Sequence, residues 1–342
     1  MWAALLFGCA AAGCAPADPP PAPPAAFYHW QTRLAPDSLA RVRLATAGSD
    51  RLYVKAFDVS WQGGRPEPTA RVELADTVGL PRLIPVVFVT NEVFARSSAA
   101  DITALADDVI YLVNERFGAA YPELQIDCDW TARTQVPYFD FLGAVRDQLG
   151  GRALSCTVRL HQYKDPTRQG VPPVDYGSLM AYNVGDLDDW ATPNSIADTT
   201  VLKRYLTGAP HYPLPLDVAV AVYDWAAVYR YDRLAYLINE PPLRQLADTS
   251  RFLALPAAGA GGRWRVRRST YLDGTYLYAG DLLRWEAVTP AVAADQLAVL
   301  RRHALPTPGR RVLYYRLGSR AWGGWANGKK LSLSGGSPVQ RR

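Results

Sequence analysis

Eight short runs of β-branched and aromatic residues, separated by helical or loop segments, constrain the fold of this 342-residue chain more than any other feature. The runs are Phe27–Thr32, Leu52–Asp58, Ile84–Thr90, Leu124–Trp130, Leu154–His161, Ser178–Asn183, Leu216–Trp225 and Arg311–Leu317. Helical patterns lie between several of them, at Asp101–Phe117 (with Asp101 as a candidate cap), Tyr138–Leu149, Ser195–Leu206 and Ala291–Leu305. Strands that alternate with helices in this number predict an α/β fold, a (β/α)8 TIM barrel.

A long segment separates the seventh run from the eighth. It has roughly 85 residues, far more than a helical crossover between parallel strands needs. Residues 263–287 contain alternating, strand-like stretches and an Asp-Gly turn signal. We therefore expect a β-rich insertion at about 226–287 within a barrel domain of residues 27–320, followed by a basic tail at 321–342. An independent second domain is the alternative interpretation of the insertion.

The first residues of the chain have the features of an export signal. Residues 1–14 are apolar and uncharged, too few to span a bilayer, and end in Ala-Gly-Cys. This ending resembles a bacterial lipobox, in which the thiol of Cys14 would take a diacylglycerol. Residues 15–26 are proline-rich and predict an extended tether. The sequence thus predicts a lipoprotein of the bacterial cell envelope that contacts the membrane through its N-terminal lipid.

The net charge of +5 is unevenly distributed. From Arg263 onward there are 15 Lys and Arg against four acidic residues, which would suit an anionic lipid or acidic glycan, or simply a solvated arginine-rich surface. No nucleic-acid-binding motif accompanies this charge, so nucleic acid is not expected as a partner. Four cysteines without CxxC spacing give no zinc signature, and we predict no metal and no cofactor. Serine-hydrolase, nucleotide-binding and HExxH motifs are also missing from the sequence.

Polar side chains cluster where the fourth and fifth runs end. The active site of such a barrel lies at the C-terminal ends of its strands. Period-two alternation puts Gln125, Asp127 and Asp129 on one face of the fourth run. The same rule puts Arg159 and His161 together on the neighbouring run. We expect these residues to form one cluster inside the barrel, either a catalytic site or a structural ion-pair network.

Two segments in this region resemble one enzyme family. Residues 124–131, Leu-Gln-Ile-Asp-Cys-Asp-Trp-Thr, resemble the fourth-strand signature Asp-Gly-x-Asp-x-Asp-x-Glu of chitinase-type glycoside hydrolases (family 18). Residues 178–183, Ser-Leu-Met-Ala-Tyr-Asn, resemble the Met-x-Tyr-Asp pattern on the sixth strand of the same family. The two segments stand in the family's order, and the whole body also resembles bacterial lipoproteins with barrel domains.

The resemblance implies roles for particular residues. In the family, a Glu protonates the glycosidic oxygen while the N-acetyl group of the substrate attacks the anomeric carbon. An Asp two residues earlier orients the acetamide, and a Tyr on the sixth strand binds it. Asp127 and Asp129 match the last two aspartates and Tyr182 matches the tyrosine, whereas Asn183 replaces an Asp. Thr131 occupies the place of the acid, and a threonine hydroxyl cannot act as a general acid near neutral pH.

Two alternatives follow from Thr131. Another group protonates the leaving oxygen, or the protein binds glycan without turnover. Candidate replacement acids near the strand ends are Asp58, Glu92, Asp224 and His161. Aromatic residues at or just beyond strand ends, on which sugar rings could stack, are Trp30, Trp61, Trp130, Tyr182, Trp190 and Trp225.

The resulting prediction is an envelope lipoprotein whose barrel binds, and slowly hydrolyses if it is an enzyme, a glycan containing N-acetylhexosamine. Predicted catalytic residues are Asp127, Asp129, Tyr182 and His161; predicted glycan-binding residues are Trp30, Gln125, Arg159, Asn183 and Trp225. Two alternatives remain. One is a non-catalytic interaction or scaffold lipoprotein, and the other is a metal-dependent hydrolase that uses Asp127, Asp129 and His161.

Two cysteines provide a test of the strand alternation. Cys128 and Cys156 fall on the side of their strands that faces the helices. Because disulfides between adjacent parallel strands are geometrically awkward, we expect two buried, unbridged thiols.

Overall fold

Eight parallel strands form a closed barrel in the computed structural model, which describes residues 23–257 and 261–324. They are Ala25–His29, Arg51–Gln62, Arg82–Val89, Glu123–Asp127, Ala153–Arg159, Tyr176–Met180, Leu216–Ala221 and Val312–Tyr315, here numbered as the first to eighth barrel strands. Each strand pairs with the next in chain order, and the first also pairs with the eighth. The predicted (β/α)8 barrel is confirmed.

Helices cover the outside of the barrel. They are Ser38–Thr46, Asn91–Arg96, Ala99–Phe117, Gln135–Gln148, Leu160–Lys164, Pro166–Gln169, Thr199–Leu206 and Pro290–Arg302, with Leu243–Leu246 in the insertion. Among the described residues, no helix combines the length and apolarity that crossing a membrane requires. The helix predicted to start at Asp101 is capped by Ser98 instead, because Asp101 stands three residues later and completes a capping box with it.

The alternation of the fourth strand agrees with the sequence analysis. Ile126 and Cys128 pack in the large hydrophobic core between the strands and the helices, whereas Gln125 and Asp127 point into the barrel. Cys156 lies in the same outer core, and both cysteines are buried and unbridged. Strand parity therefore decides which polar groups reach the inside of the barrel.

The predicted β-rich insertion is present between the seventh and eighth barrel strands, and we call it the lobe (Asp224–Ala287). It is a five-stranded antiparallel sheet in the spatial order Arg233–Asn239, Asp224–Arg230, Leu282–Ala287, Gly262–Val266 and Phe252–Leu255, with a hairpin of Thr270–Leu272 and Thr275–Leu277. The run Leu216–Trp225 is not one strand, as the sequence suggested: the barrel strand ends at Ala221, and Asp224 pairs with Ala287 in the lobe.

Three further short strands lie outside the eight-stranded barrel. Arg65–Thr69 extends the sheet antiparallel to the second strand, and Arg33–Leu34 pairs with Glu73–Leu74.

The ends of the folded body differ slightly from the expected boundaries. The first strand begins at Ala25, inside the expected tether. A 3-10 helix, Arg320–Gly324, continues past residue 320, and its Trp322 is buried against Phe27 with ring centroids 5.6 Å apart. Cys14, most of the proline-rich tether and residues 325–342 of the basic tail lie outside the described residues.

A network of buried charges occupies the N-terminal end of the barrel interior. Glu123 is completely buried and accepts hydrogen bonds from Arg51 Nη1 (2.7 Å) and Ser155 Oγ (2.6 Å). Arg310 Nη2 donates to Asp217, also completely buried, at 2.8 Å. Pairing offsets the cost of removing these charges from water, and the network fills the end of the barrel away from the candidate site.

Candidate functional site

A cavity of about 350 Å³ opens at the C-terminal ends of the barrel strands. It is lined by Tyr28, Trp30, Phe88, Asp127, Asp129, Arg159, Met180, Tyr182, Asn183, Tyr223, Asp224, Trp225, Asn239, Tyr315 and Arg316. Trp225 and Asn239 belong to the lobe, so the insertion forms one wall of the cavity. This location and this mixture of aromatic and convergent polar groups are typical of a ligand site in a TIM barrel.

Asp127 is the most deeply buried carboxyl of the cavity, with 6% of the residue exposed. Thr157 Oγ1 donates a hydrogen bond of 2.6 Å to its Oδ1. Within the described part of the chain, its Oδ2 has no hydrogen-bond partner. Burial raises the pKa of Asp127 to about 6; the Thr157 hydrogen bond and Arg159 oppose this rise, and Asp129 adds to it.

Asp129 and Arg159 form a bidentate ion pair at the edge of the cavity. Arg159 Nε donates to Oδ1 of Asp129, and Nη2 donates to Oδ2 at 2.7 Å. The Asp129 side chain remains 45% exposed. Because two parallel hydrogen bonds fix the planes of both groups, this pair is a rigid part of the cavity wall.

Aromatic rings form much of the remaining surface. Tyr182 stacks on Tyr315 with ring centroids 5.3 Å apart and an interplanar angle of 15°, and Trp30 meets Tyr315 edge to face at 5.6 Å. Tyr223 donates its hydroxyl proton to Asn183 Oδ1. The Tyr182 hydroxyl has no hydrogen-bond partner among the described residues, and burial raises the pKa of Tyr182 well above its usual value. The hydroxyl is therefore a polar group of the cavity wall that is free to bind a ligand.

Asp224 supplies a third carboxyl, on the lobe side. Only 9% of the residue is exposed, and Trp285 Nε1 donates to its Oδ2 at 2.8 Å. Burial raises the pKa of Asp224; the Trp285 hydrogen bond opposes the rise, and Glu240 adds to it. Arg316 and Arg320, which pull this pKa down, form their ion pairs with Glu240 instead, at 3.3 and 3.4 Å.

Most of the sequence-predicted site residues meet in this cavity. The lining includes Asp127, Asp129, Tyr182, Trp30, Arg159, Asn183 and Trp225. Gln125 lies deeper in the barrel and is completely buried. Its Oε1 accepts from Tyr28 at 2.7 Å and its Nε2 donates to Ser155 and Ser178. Its amide is therefore engaged with the barrel interior and does not face the cavity.

His161 is placed differently from the expectation. The fifth strand ends at Arg159, and His161 lies in the following helix Leu160–Lys164, so the two side chains do not share a strand face. His161 lines a second cavity of about 280 Å³, which shares Asp129, Arg159 and Tyr182 with the first. Burial and the charge of Arg159 lower the pKa of His161.

The candidate replacement acids separate into two groups. Asp224 lines the main cavity, as described above. Asp58 instead pairs with Lys55 at 2.9 Å on the second strand, and the exposed Glu92 pairs with Arg96 at 2.9 Å. Neither Asp58 nor Glu92 lines either cavity.

Thr131 also lies outside the lining of both cavities. It is exposed, and its backbone N–H donates to Thr134 Oγ1 at 2.9 Å, just before the helix Gln135–Gln148.

Three of the six aromatic residues proposed for sugar stacking do not reach the cavity. Trp130 is completely buried under the helices, where its Nε1 donates to the carbonyl of Gln169. Trp61 packs against the outer core. Trp190 contacts Tyr229 of the lobe, with ring centroids 5.2 Å apart.

Several lining residues were missed by the sequence analysis. Tyr28 and Tyr315 could have been found, because each stands at an inward-facing position near the end of a barrel strand. Tyr223 and Asn239 lie where the chain leaves the barrel and inside the lobe, and no sequence pattern marks them.

The loop after the sixth strand, residues 185–190, carries three aspartates, and two of them accept hydrogen bonds from nearby backbone N–H groups. Asp186 Oδ1 accepts from the N–H of Asp188 (3.0 Å), and Asp189 Oδ1 accepts from Ala191 (2.8 Å). In residues 23–257 and 261–324, no group of three or more His, Cys, Asp or Glu side chains is arranged to hold a metal ion. The set Asp127, Asp129 and His161 therefore does not form such a group.

Comparisons with known proteins agree with the fold. No family model matches the sequence, and a search of curated proteins gives no match. The barrel is similar to the spore cortex-lytic enzyme SleL of Bacillus cereus (TM-score 0.52, 14% identity, covering 86% of this chain and 71% of that one). It is also similar to a chitinase from Chromobacterium violaceum (TM-score 0.51, 15% identity, 90% and 100%). At these identities, the likeness shows that the chain shares the barrel fold of chitinase-like glycoside hydrolases.

Proposed function

We propose that this chain is a cell-envelope lipoprotein whose barrel binds, and hydrolyses slowly if at all, a glycan containing N-acetylhexosamine. One observation carries this proposal. The cavity at the C-terminal ends of the strands combines aromatic rings in its wall with a carboxyl oxygen of Asp127 and a hydroxyl of Tyr182 that have no hydrogen-bond partner in the described part of the chain. A pyranose offers an apolar face to the rings and hydroxyl or amide groups to the free polar atoms.

Acetamide recognition fits the groups that are present. An N-acetyl group needs an acceptor for its N–H and a donor for its carbonyl oxygen. Asp129, the position that the family resemblance assigns to this acceptor role, still has unused lone pairs although Arg159 binds both of its oxygens. The Tyr182 hydroxyl is available as the donor.

We expect slow turnover because Thr131 stands at the position that the family resemblance assigns to the general acid. Thr131 carries no acidic proton, and its side chain lies outside both cavities. General acid catalysis typically contributes about 10²–10⁴-fold to the rate, so a site without its usual acid binds far better than it hydrolyses. Any residual turnover would draw its proton from Asp127, whose pKa of about 6 keeps it partly protonated in mildly acidic solution.

Calorimetry with N-acetylglucosamine oligosaccharides tests this function. Tyr182→Phe should weaken binding roughly fivefold, the equivalent of one hydrogen bond of about 1 kcal/mol. The single variant Asp129→Ala should weaken binding more than Tyr182→Phe does. Tyr111→Phe, at an exposed position on the helix Ala99–Phe117, is the matched control and should bind like the wild type.

Turnover assays complete the test. Thr131→Glu adds a carboxyl at the position that the family resemblance assigns to the acid, but this position lies outside both cavities. A gain in hydrolysis would support the resemblance at this position, and no gain is expected if the structure places residue 131 away from the bound glycan. Rapid wild-type hydrolysis that survives Asp129→Ala would contradict it. If the wild type bound no glycan, the alternative of a scaffold lipoprotein would stand instead.

The envelope location rests on the sequence of the N-terminus. A lipid on Cys14, followed by a stiff proline-rich tether, would hold the barrel a short distance from a membrane surface.

A further inference from the structure

The charged groups that line the main cavity do not balance. Three carboxyls face it, Asp127, Asp129 and Asp224, against two guanidinium groups, Arg159 and Arg316. Both guanidinium groups are already committed to carboxylates, Arg159 to Asp129 and Arg316 to Glu240. The cavity therefore contains carboxyls for which the described part of the chain supplies no ion-pair partner.

Asp127 is the clearest case. The Asp129–Arg159 pair beside it is neutral as a unit, and so is the Asp58–Lys55 pair on the second strand. The other titratable groups that interact with it carry no charge at neutral pH; they are the tyrosines Tyr28, Tyr138, Tyr182 and Tyr315 and the thiols of Cys128 and Cys156. Thr157 gives Asp127 the one side-chain hydrogen bond that the described residues supply, and Oδ2 of Asp127 has no partner among them in the cavity. When Asp127 ionises, its negative charge is buried and uncompensated.

Asp224 does not add to this excess negative charge, because its surroundings balance it. Among residues 23–257 and 261–324, only Trp285 donates a hydrogen bond to its side chain, and none forms an ion pair with it. Around it, Glu240 carries a negative charge, and Arg316 and Arg320 carry positive ones. This group as a whole is neutral, so the excess negative charge of the cavity is centred on Asp127.

We infer that the preferred ligand is a partly de-N-acetylated glycan, in which the free ammonium of a hexosamine pairs with the Oδ2 of Asp127. The inference rests on the proposed function, since it takes the cavity as a hexosamine site and specifies the charge of the sugar. A glycan bearing carboxylate or sulfate groups would meet the uncompensated charge of Asp127 and is disfavoured.

The aromatic lining suits such a ligand. The ring of Tyr182 and the indole of Trp30 line the same cavity as Asp127. Aromatic faces attract cations as well as the apolar faces of sugars, and the attraction is stronger where water is excluded. An ammonium in this cavity would gain both the ion pair and the ring contacts.

The pH dependence of binding has a definite sign. Pairing with an ammonium favours the ionised form of Asp127, so binding lowers its pKa from about 6 and releases a proton wherever the free site is protonated. At pH 5 the free carboxyl is mostly protonated and the sugar amine is charged, so nearly one proton should leave the carboxyl on binding. At pH 7 the carboxyl should release almost none, and the amine, with a pKa near the α-amino range of about 7.7–8.0, should take up a small fraction of a proton instead. Affinity for the amino sugar therefore rises between pH 5 and pH 7. An N-acetylated sugar carries no ammonium to pair with ionised Asp127, so its affinity should not rise with this ionisation.

The test is calorimetry of the full chain with two matched tetrasaccharides, one made of N-acetylglucosamine throughout and one in which a single residue is glucosamine, at pH 5 and pH 7 in buffers of different ionisation enthalpy. At pH 7 the wild type should bind the tetramer with one glucosamine residue about tenfold more tightly than the fully N-acetylated tetramer, and this preference should fall at pH 5. Asp127→Asn keeps the shape of the side chain and removes the charge, so the preference should shrink to less than about twofold, with no proton release.

Asp108→Asn is the control for net charge. It removes the same charge from an exposed position of the helix Ala99–Phe117, and it should keep the wild-type preference. Equal or tighter binding of the N-acetylated tetramer at pH 7 would overturn the inference and leave the proposed function standing. So would a preference that survives Asp127→Asn, because the ammonium would then bind elsewhere. If neither tetramer bound, the proposed function would fail and the inference with it.

Discussion

Arg159 donates hydrogen bonds to both carboxylate oxygens of Asp129, and this ion pair lines the same cavity as Asp127, of which only one carboxyl oxygen is hydrogen-bonded to a described residue. The guanidinium thus orients one carboxylate and lowers the pKa of another. The chemistry of the cavity depends on this one cation as much as on the aspartates.

Replacing Arg159 with methionine should raise the pKa of Asp127 above its value of about 6. The positive charge that now opposes the rise would be gone, while the repulsion from Asp129 would remain. A ¹³C NMR titration of labelled aspartate carboxyls measures this directly. Arg116→Met, at an exposed helical position, is the control. An unchanged Asp127 titration in Arg159→Met would show that the two groups are not electrostatically coupled.

Asp127 should also make the protein less stable as the pH rises. Its pKa is about 6 in the folded state and about 4 in an unfolded chain. Between these values the folded state binds more protons, so the free energy of unfolding falls by up to about 3 kcal/mol as the pH increases. Urea unfolding at pH 4 and pH 7 should show a smaller fall for Asp127→Asn than for the wild type. A parallel pH dependence in both proteins would contradict the assignment.

The ion pair at the other end of the barrel should respond asymmetrically to mutation. Arg51→Met leaves Glu123 completely buried without its cation and should cost about 3 kcal/mol of the free energy of unfolding. Glu123→Gln should cost less, because the Arg51 side chain is 23% exposed and can be hydrated. Denaturant unfolding of the two variants decides the order, and the reverse order would count against this account of the network.

The thiols of Cys128 and Cys156 should not react with alkylating reagents in the native protein. Burial raises the pKa of both thiols, so neither forms the reactive thiolate at neutral pH. Alkylation followed by peptide mass spectrometry should find both unmodified in the native state and both modified after unfolding without reductant. A pair that stays unmodified after unfolding, and reacts only once reduced, would indicate a disulfide.

The N-terminus provides a separate test of the lipoprotein proposal. Mass spectrometry of the mature protein from a bacterial membrane fraction should find a diacylglyceryl group on Cys14, and Cys14→Ala should remain unprocessed and unlipidated. A mature chain that begins elsewhere, or an unmodified Cys14, would remove the anchor without affecting the glycan-binding proposal.

Strand parity explains how much of the site could be found from the sequence. It placed Asp127 inside the barrel and Cys128 outside, because side chains alternate strictly along a strand. The same rule places Trp130 on the face of Cys128, so its burial under the helices was already implied by the alternation that identified the aspartates. Three-dimensional position, and not residue type, decides which tryptophans can stack on a sugar.

The failures occur where strands end. Sequence patterns do not show that the fifth strand stops at Arg159 and turns into a helix, which carries His161 into a neighbouring cavity. They also do not show that the chain leaves the barrel between Ala221 and Asp224. Both transitions depend on tertiary contacts, which override local preference for β structure.

The seam where Ala25 lies beside Val312 has a consequence for biosynthesis. The first strand is made before the rest of the barrel, but one of its two neighbours, the eighth strand, emerges only after the second to seventh strands and the whole lobe. Contacts this distant in sequence form slowly, and an open sheet exposes unpaired backbone edges while it waits. A nascent chain of this protein would therefore depend on chaperones or on delayed folding until its last strand closes the ring.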